Sequence, residues 1–303
     1  MGGHHCCNDV VWPNTVKRVL ALVAALAAVV TCSETRDSEP APVSAQRIVS
    51  LAPNLTELVY TVGADEQLVG VSAWSDYPPE VLALPVVGDA FSVDQEQLAL
   101  ARPDLLLVWE SGTPSHVVDE LRSIGYNVAA IRTRDLDDVG DALLRIGELT
   151  GHENEAIEAA TAYRSALQSL RDRYESLAPI RVFYQVAARP LYTINNEHYI
   201  SELISICGGE NIFRDLSDLA PTVDVEAVVD RDPEVMLAST DAGDDAFAEW
   251  QRWPDIAANR HGNLFLLPAD EIVRATTRVI VAGNAMCVAL QQARLNRDSR
   301  GEE

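Results

Sequence analysis

The feature that most restricts how this chain folds is an internal duplication. Ser92-Val-Asp-Gln-Glu96-Gln-Leu98 continues to Arg102-Pro103-Asp-Leu-Leu-Leu107, and Thr222-Val-Asp-Val-Glu226-Ala-Val228 continues to Asp232-Pro233-Glu-Val-Met-Leu237. The two align without a gap over 16 positions at an offset of 130 residues. Each copy reads as a short helix, a Pro-marked turn and a buried strand. Any αβ unit shares that outline, but the matched Ser/Thr, Val, Asp, Glu and Pro positions go beyond it. Two similar α/β lobes follow, and 303 residues are enough to build both.

Around each copy, short apolar runs alternate with helical patterns. Strands are expected at 47–51, 68–71, 105–109 and 127–131, with helices at 54–60, 94–101, 115–124 and 136–149. Asn54 and Glu57 have the spacing of a capping box at the first helix. Ile157, Ala160, Tyr163, Leu167, Leu170, Tyr174 and Leu177 then recur at intervals of three and four, which predicts one long amphipathic helix. A second series has strands at 181–186, 235–239 and 264–267, helices at 199–206 and 277–293, and a polar, frayed tail at 296–303. The expected fold class is α/β. Two lobes, 47–152 and 179–295, each a mostly parallel sheet flanked by helices, are joined by a long rigid helix at 153–178.

The N-terminus reads as an export signal: Lys17 and Arg18 precede the apolar run Val19 to Val30, short for a spanning helix. Residues 1–32 are expected to be a leader and the acidic stretch 33–46 an unstructured tether. Cys32 resembles the acylation site of a bacterial lipoprotein, although Val29-Val30-Thr31 departs from the usual pattern; the alternative is cleavage near Val43-Ser44-Ala45. Either way the folded part lies outside the cytoplasm, in the periplasm, and a lipid on Cys32 is the one membrane contact expected, under the first alternative alone. Cys207 and Cys287 are the cysteines left after processing. They are either two buried thiols or a disulfide, and an oxidising compartment favours the bridge.

A formal net charge of -23 argues against nucleic acid, whose phosphates need a basic surface. Nucleophile elbow, P-loop, dinucleotide fingerprint and zinc-protease motifs are all missing from the sequence. His116, His152, His198 and His261 are scattered in polar surroundings and read as surface residues rather than metal ligands. The run Asp241 to Asp245 lacks calcium-loop spacing and reads as a solvated loop. Neither a metal nor a cofactor is expected. What remains are aromatic and polar residues just after predicted strands: Trp74, Phe91, Tyr192, Asp270 and Arg274. Ligands of open α/β sheets sit at the carboxyl ends of strands, so these residues are expected to face an inter-lobe cleft.

Four motifs carry a family resemblance: Arg47-Ile-Val-Ser-Leu-Ala-Pro-Asn-x-Thr-Glu-Leu58, Ser75-Asp-Tyr-Pro-Pro79, Cys207-Gly-Gly-Glu-Asn-Ile-Phe213 and Asp270-x-x-x-Arg274. With them, the chain from about Arg47 to Leu290 resembles the cobalamin-binding proteins of the iron-complex/cobalamin class, which serve ABC importers. The resemblance implies a corrinoid ligand held by Trp74, Tyr192, Asp270 and Arg274. It also implies a disulfide between Cys207 and Cys287. It implies as partners a permease dimer with its ATPase subunits, docked through Glu96 and Glu226, one glutamate per lobe. In the resembling proteins a tryptophan stands six residues before each docking glutamate; here those positions are Ala90 and Ala220, with Phe91 beside the first as a substitute. A ferric siderophore or haem is the alternative ligand, its carboxylates meeting Arg274 and Arg278. A sensor ectodomain and an α/β cleft enzyme are the readings from other classes.

Overall fold

A computed structural model describes residues 44–89, 91–174 and 177–300. The leader, Cys32, most of the tether and Ala90 lie outside these residues. In chain order the elements are β1 (Ile48–Ser50), α1 (Pro53–Thr61), β2 (Leu68–Val71), α2 (Gln95–Ala101), β3 (Leu105–Trp109), α3 (Ser115–Ser123), β4 (Val128–Ile131) and α4 (Leu136–Thr150). The helix α5 (Glu153–Tyr174) follows. Then come β5 (Ile180–Gln185), the short hairpin β6 (Ala187–Ala188) and β7 (Leu191–Tyr192), α6 (Tyr199–Ile206), β8 (Gly209–Asn211), α7 (Val225–Arg231), β9 (Val235–Ser239), α8 (Ala257–His261), β10 (Leu264–Leu267), α9 (Ala269–Ile272) and α10 (Val279–Arg300).

The two main sheets have the orders β2-β1-β3-β4 and β8-β5-β9-β10, and every pairing in them is parallel. Counted from the start of each lobe, both are second-first-third-fourth. Sheets of this kind are covered on both faces, so their strands are apolar without a polar side. Alternate residues then serve different cores. Leu105 and Leu107 of β3, with Val182 and Tyr184 of β5, enter one large cluster. Leu106 and Val108 enter a second, private to the first lobe, and Phe183 and Met236 enter a third, private to the second. The large cluster runs from Leu58 through Tyr163, Leu167 and Leu170 of α5 to Leu203 and Met286, so the lobes share a core through the linking helix.

Several expectations are corrected. Asn54 and Glu57 do not form a capping box: α1 starts on Pro53 with Ala52 as its cap and no side-chain cap bond. Both side chains are buried and bonded elsewhere. On α5, Ile157 is exposed and Ala156 takes its place in the buried stripe, because the tight approach to Gly147 of α4 admits only a methyl group. The polar tail is not frayed as far as it is described. Helix α10 continues to Arg300, held by Asn296 Nδ2 donating to Asn263 Oδ1 (2.8 Å) and Arg297 donating to Glu234 (3.3 Å). The folded part starts before Arg47, since Ala45 N–H donates to Leu149 O (2.9 Å). Strand β8 and the β6–β7 hairpin are too short and Gly- or Ala-rich to show a strand pattern in sequence.

Candidate functional site

The first wall of the site is the loop after β2. Ala73 N–H donates to Gly88 O (2.7 Å), and the hydroxyls of Ser72, Ser75 and Thr56 interlink at 3.2 Å beneath it. Gly88 has φ +117°, and a Cβ there would lie 2.3 Å from Ser92 O, so only glycine lets the two loops touch. Trp74 sits at the tip in the left-handed region (φ 68°), uncommon for a bulky residue, and is 82% exposed.

What holds that tip comes from the other lobe. Arg274, between α9 and α10, donates through Nη1 to Glu57 Oε1 (2.9 Å) and Asp76 Oδ1 (2.6 Å), and through Nη2 to Trp74 O (3.1 Å). Arg278 donates to Glu57 (3.3 Å) and Glu271 (2.7 Å) and lies 3.8 Å from the centre of the Tyr77 ring. Thr276 Oγ1 donates to the remaining Glu57 oxygen at 3.1 Å. Burial pushes the Glu57 carboxyl up, against the pull of the two guanidiniums and the Thr276 hydroxyl. Burial works against the Arg274 charge too, but its bonds to Asp76 and Glu57 outweigh it and hold the pKa above the ordinary value. Asp76, bonded to Arg274, is held below the usual carboxylate range. One buried glutamate on α1 therefore clamps two arginines across the lobes.

Above this clamp lies a cavity of about 520 Å³, bounded by Asn54, Trp74, Asp76 and Trp109 from the first lobe and by Asp241, Asp270 and Arg274 from the second. Trp74, Asp270 and Arg274 are thus brought together as expected from their places after strands. Phe91 is not: it sits 72% exposed on a turn closed by Asp89 Oδ1 accepting from Phe91 and Ser92 N–H, beside a separate groove. Tyr192 lies in the β6–β7 hairpin, half-buried, bridged to Thr222 and away from the cavity lining. Ala220 is exposed.

Sequence reasoning missed Trp109 and Asp241. Trp109 ends β3, and its ring rests so closely on Gly112 that a Cβ there would lie 1.8 Å from it. Its Nε1–H is buried without a partner among the described residues. The strand-end rule that selected Trp74 would have selected Trp109 as well, had it not been counted as strand. Asp241 was read as part of a solvated loop; it follows β9 and borders the cavity. His198 is also corrected: rather than lying at the surface, it is mostly buried at the start of α6, where Nδ1 accepts from Ile200 N–H (3.2 Å). Among the described residues, no cluster of His, Cys, Asp or Glu could hold a metal ion.

Comparison with known proteins places this architecture. The family described as "Periplasmic binding protein" matches residues 48–271. The chain belongs to the periplasmic binding protein family. It is 34% identical to the vitamin B12-binding protein of Vibrio cholerae over 83% of this chain and 91% of that protein. It is 33% identical to the vitamin B12-binding protein of Yersinia pestis over 80% of this chain and 86% of that one. The crystal structure of the periplasmic vitamin B12 binding protein of Vibrio cholerae superposes with a TM-score of 0.76, covering 82% of this chain and 98% of that chain. The chain is a binding protein and not an enzyme.

Two further features of this binding protein lie outside the cleft. Cys207 and Cys287 are joined in a disulfide that ties α6 to α10 within the second lobe. Glu96 and Glu226 occupy the second position of α2 and α7, both exposed, and neither carboxylate has an ion-pair partner among the described residues.

Proposed function

We propose that this protein captures a corrinoid, cobalamin or a close relative, in the inter-lobe cleft and delivers it to the permease of an ABC importer in the periplasm. The observation that carries the reading is the likeness to vitamin B12-binding proteins across more than four-fifths of the chain. The cleft agrees with it: Trp74 and Trp109 offer flat apolar surface, and the polar groups of Asp76, Asp241 and Asp270 stand around it. Ferric siderophores and haem are disfavoured, because both arginines that would meet their carboxylates are already engaged by glutamate and aspartate.

Glu96 and Glu226 are assigned to docking. Two unpaired carboxylates at equivalent helix starts suit a two-fold partner, each meeting the same basic surface. Cys32 is assigned to acylation, which would tether the protein to the membrane.

Isothermal titration with cyanocobalamin and with a ferric siderophore tests the ligand. Heat with the first and none with the second is the expected result, and silence toward every corrinoid removes the proposal. Importer-dependent uptake should collapse in Glu96→Ala/Glu226→Ala while binding in solution persists; intact uptake would refute the docking assignment. Release of a Cys32→Ser variant into the soluble fraction would support the anchor.

A further inference from the structure

The charges around the cleft are lopsided. Five carboxylates, those of Glu57, Asp76, Asp241, Asp270 and Glu271, surround two guanidiniums, those of Arg274 and Arg278. The two arginines have little left to offer. Arg274 is 13% exposed at its side chain, with Glu57 and Asp76 on Nη1, the Trp74 carbonyl on Nη2 and Asp270 at 4.0 Å; Arg278 is taken by Glu57, Glu271 and the Tyr77 ring. The excess is three negative charges, and it remains two if burial protonates Glu57. Asp76, Asp241 and Asp270 are exposed; Asp76 is bonded to Arg274, and no described cation stands closer to Asp270 than Arg274 at 4.0 Å. The same space is bordered by the Trp74 and Trp109 rings, whose faces attract cations. A cleft with an excess of one sign of charge focuses its field on whatever enters.

We infer that the cleft selects its ligand by charge: it takes a cationic molecule whose periphery donates hydrogen bonds, as primary amides do, and rejects one bearing carboxylates. Carboxylate oxygens accept from an amide N–H but repel another carboxylate. The inference rests on the corrinoid reading and narrows it. A corrinoid whose cobalt carries an aqua ligand has one more positive charge than the same corrinoid carrying cyanide. A corrinoid whose side-chain amides have been hydrolysed has the same ring with the wrong periphery.

The test is titration of the whole protein with aquocobalamin, cyanocobalamin and a corrinoid with hydrolysed amides, at mildly acidic pH and at low and high salt. Aquocobalamin should bind about threefold to tenfold tighter than cyanocobalamin at low salt, the range expected of a few solvent-exposed charges. The ratio should shrink as salt screens the carboxylates. It should also fall toward one in Asp241→Asn/Asp270→Asn, a pair of exposed substitutions whose folding is checked by circular dichroism. The hydrolysed corrinoid should bind weakest. Equal affinities at every salt concentration, a ratio unmoved by the two substitutions, or tight binding of the carboxylate form would each overturn charge selection while leaving the corrinoid reading in place. Failure of all corrinoids would remove the corrinoid reading and this inference with it.

Discussion

The two lobes repeat one another closely at their corners and hardly at all at the cleft. At the corners, Arg47 donates to the Ala101 and Arg102 carbonyls that end α2, and Arg181 donates to the Asp232 carbonyl that ends α7. Arg102 and Asp232 both close their helices in the left-handed region. Asp104 and Glu234 both accept from the backbone N–H of that lobe's own arginine, Arg47 or Arg181. Facing the cleft, the first lobe supplies Trp74 and Asp76 on a loop pinned by glycine and hydroxyls and Trp109 at the end of β3, whereas the second supplies Asp241, Asp270 and Arg274. Duplicated corners fit a partner with two equal halves; unequal walls fit a ligand with none of that symmetry.

The largest asymmetry is covalent. The disulfide spans a sequence separation of 80 in the second lobe, which would constrain the unfolded chain by about 4 to 5 kcal/mol in the loop-entropy view. Cys207→Ser/Cys287→Ser should lower the unfolding temperature and split the calorimetric transition, with the second lobe melting first. A single transition that merely moves down would mean that the shared core couples the lobes more strongly than the bridge stiffens one of them.

Next is the clamp that joins the unequal walls. Glu57→Ala strands Arg274 and Arg278 with fewer partners and removes one buried and two part-buried bonds, for a loss of about 3 to 5 kcal/mol, measured by denaturant titration. A loss below about 1 kcal/mol would show that Asp76 and Glu271 hold the arginines unaided.

Acid should separate the lobes further. Burial lowers the His198 pKa from 6.5 to about 4, so the folded second lobe resists a proton that the unfolded chain accepts. Stability is then full above pH 6.5 and falls by up to about 3 kcal/mol as pH drops toward 4. His198→Asn, which keeps a cap acceptor, should flatten that slope. Asp76 acts in a different window: its carboxyl is held below the ordinary 3.8 by Arg274, so what it contributes is present above that value and disappears only in stronger acid. An unchanged slope between pH 6.5 and 4 in His198→Asn would show that His198 is not the group that sets it.

The smallest difference lies inside the repeat itself. Asp94 accepts from Glu96 and Gln97 N–H at 3.0 Å, while Asp224 makes no side-chain cap bond. Asp94→Ala should cost about 1 kcal/mol and Asp224→Ala only a few tenths, read by chemical denaturation. Equal losses would mean that the caps are alike in solution.

Much of this architecture was legible because it is local or periodic. The strands 105–109, 235–239 and 264–267 and the helix 199–206 have the bounds read from the sequence, since each is an unbroken apolar run or stripe between turn signals. Glu57 was misread for an instructive reason. Its distance from Asn54 has a local meaning, but its partners, Arg274 and Arg278, are more than 200 residues away along the chain. Trp74, Asp270 and Arg274 were found because strand ends are recognisable; Phe91 and Tyr192 obey the same rule yet turn elsewhere, because a turn and a hairpin direct them.

The sequence by itself determined the duplication, the two parallel sheets, the helix between them and the exposed glutamate at each corner. These follow from periodicity and from caps, which act over a few residues. Only the tertiary structure decided that the lobes share one core, that a single buried carboxylate clamps two arginines across them, and that the cleft is left with unbalanced negative charge. Those are sums over groups far apart in the chain, and electrostatics depends on distance through space, which no spacing along the sequence records.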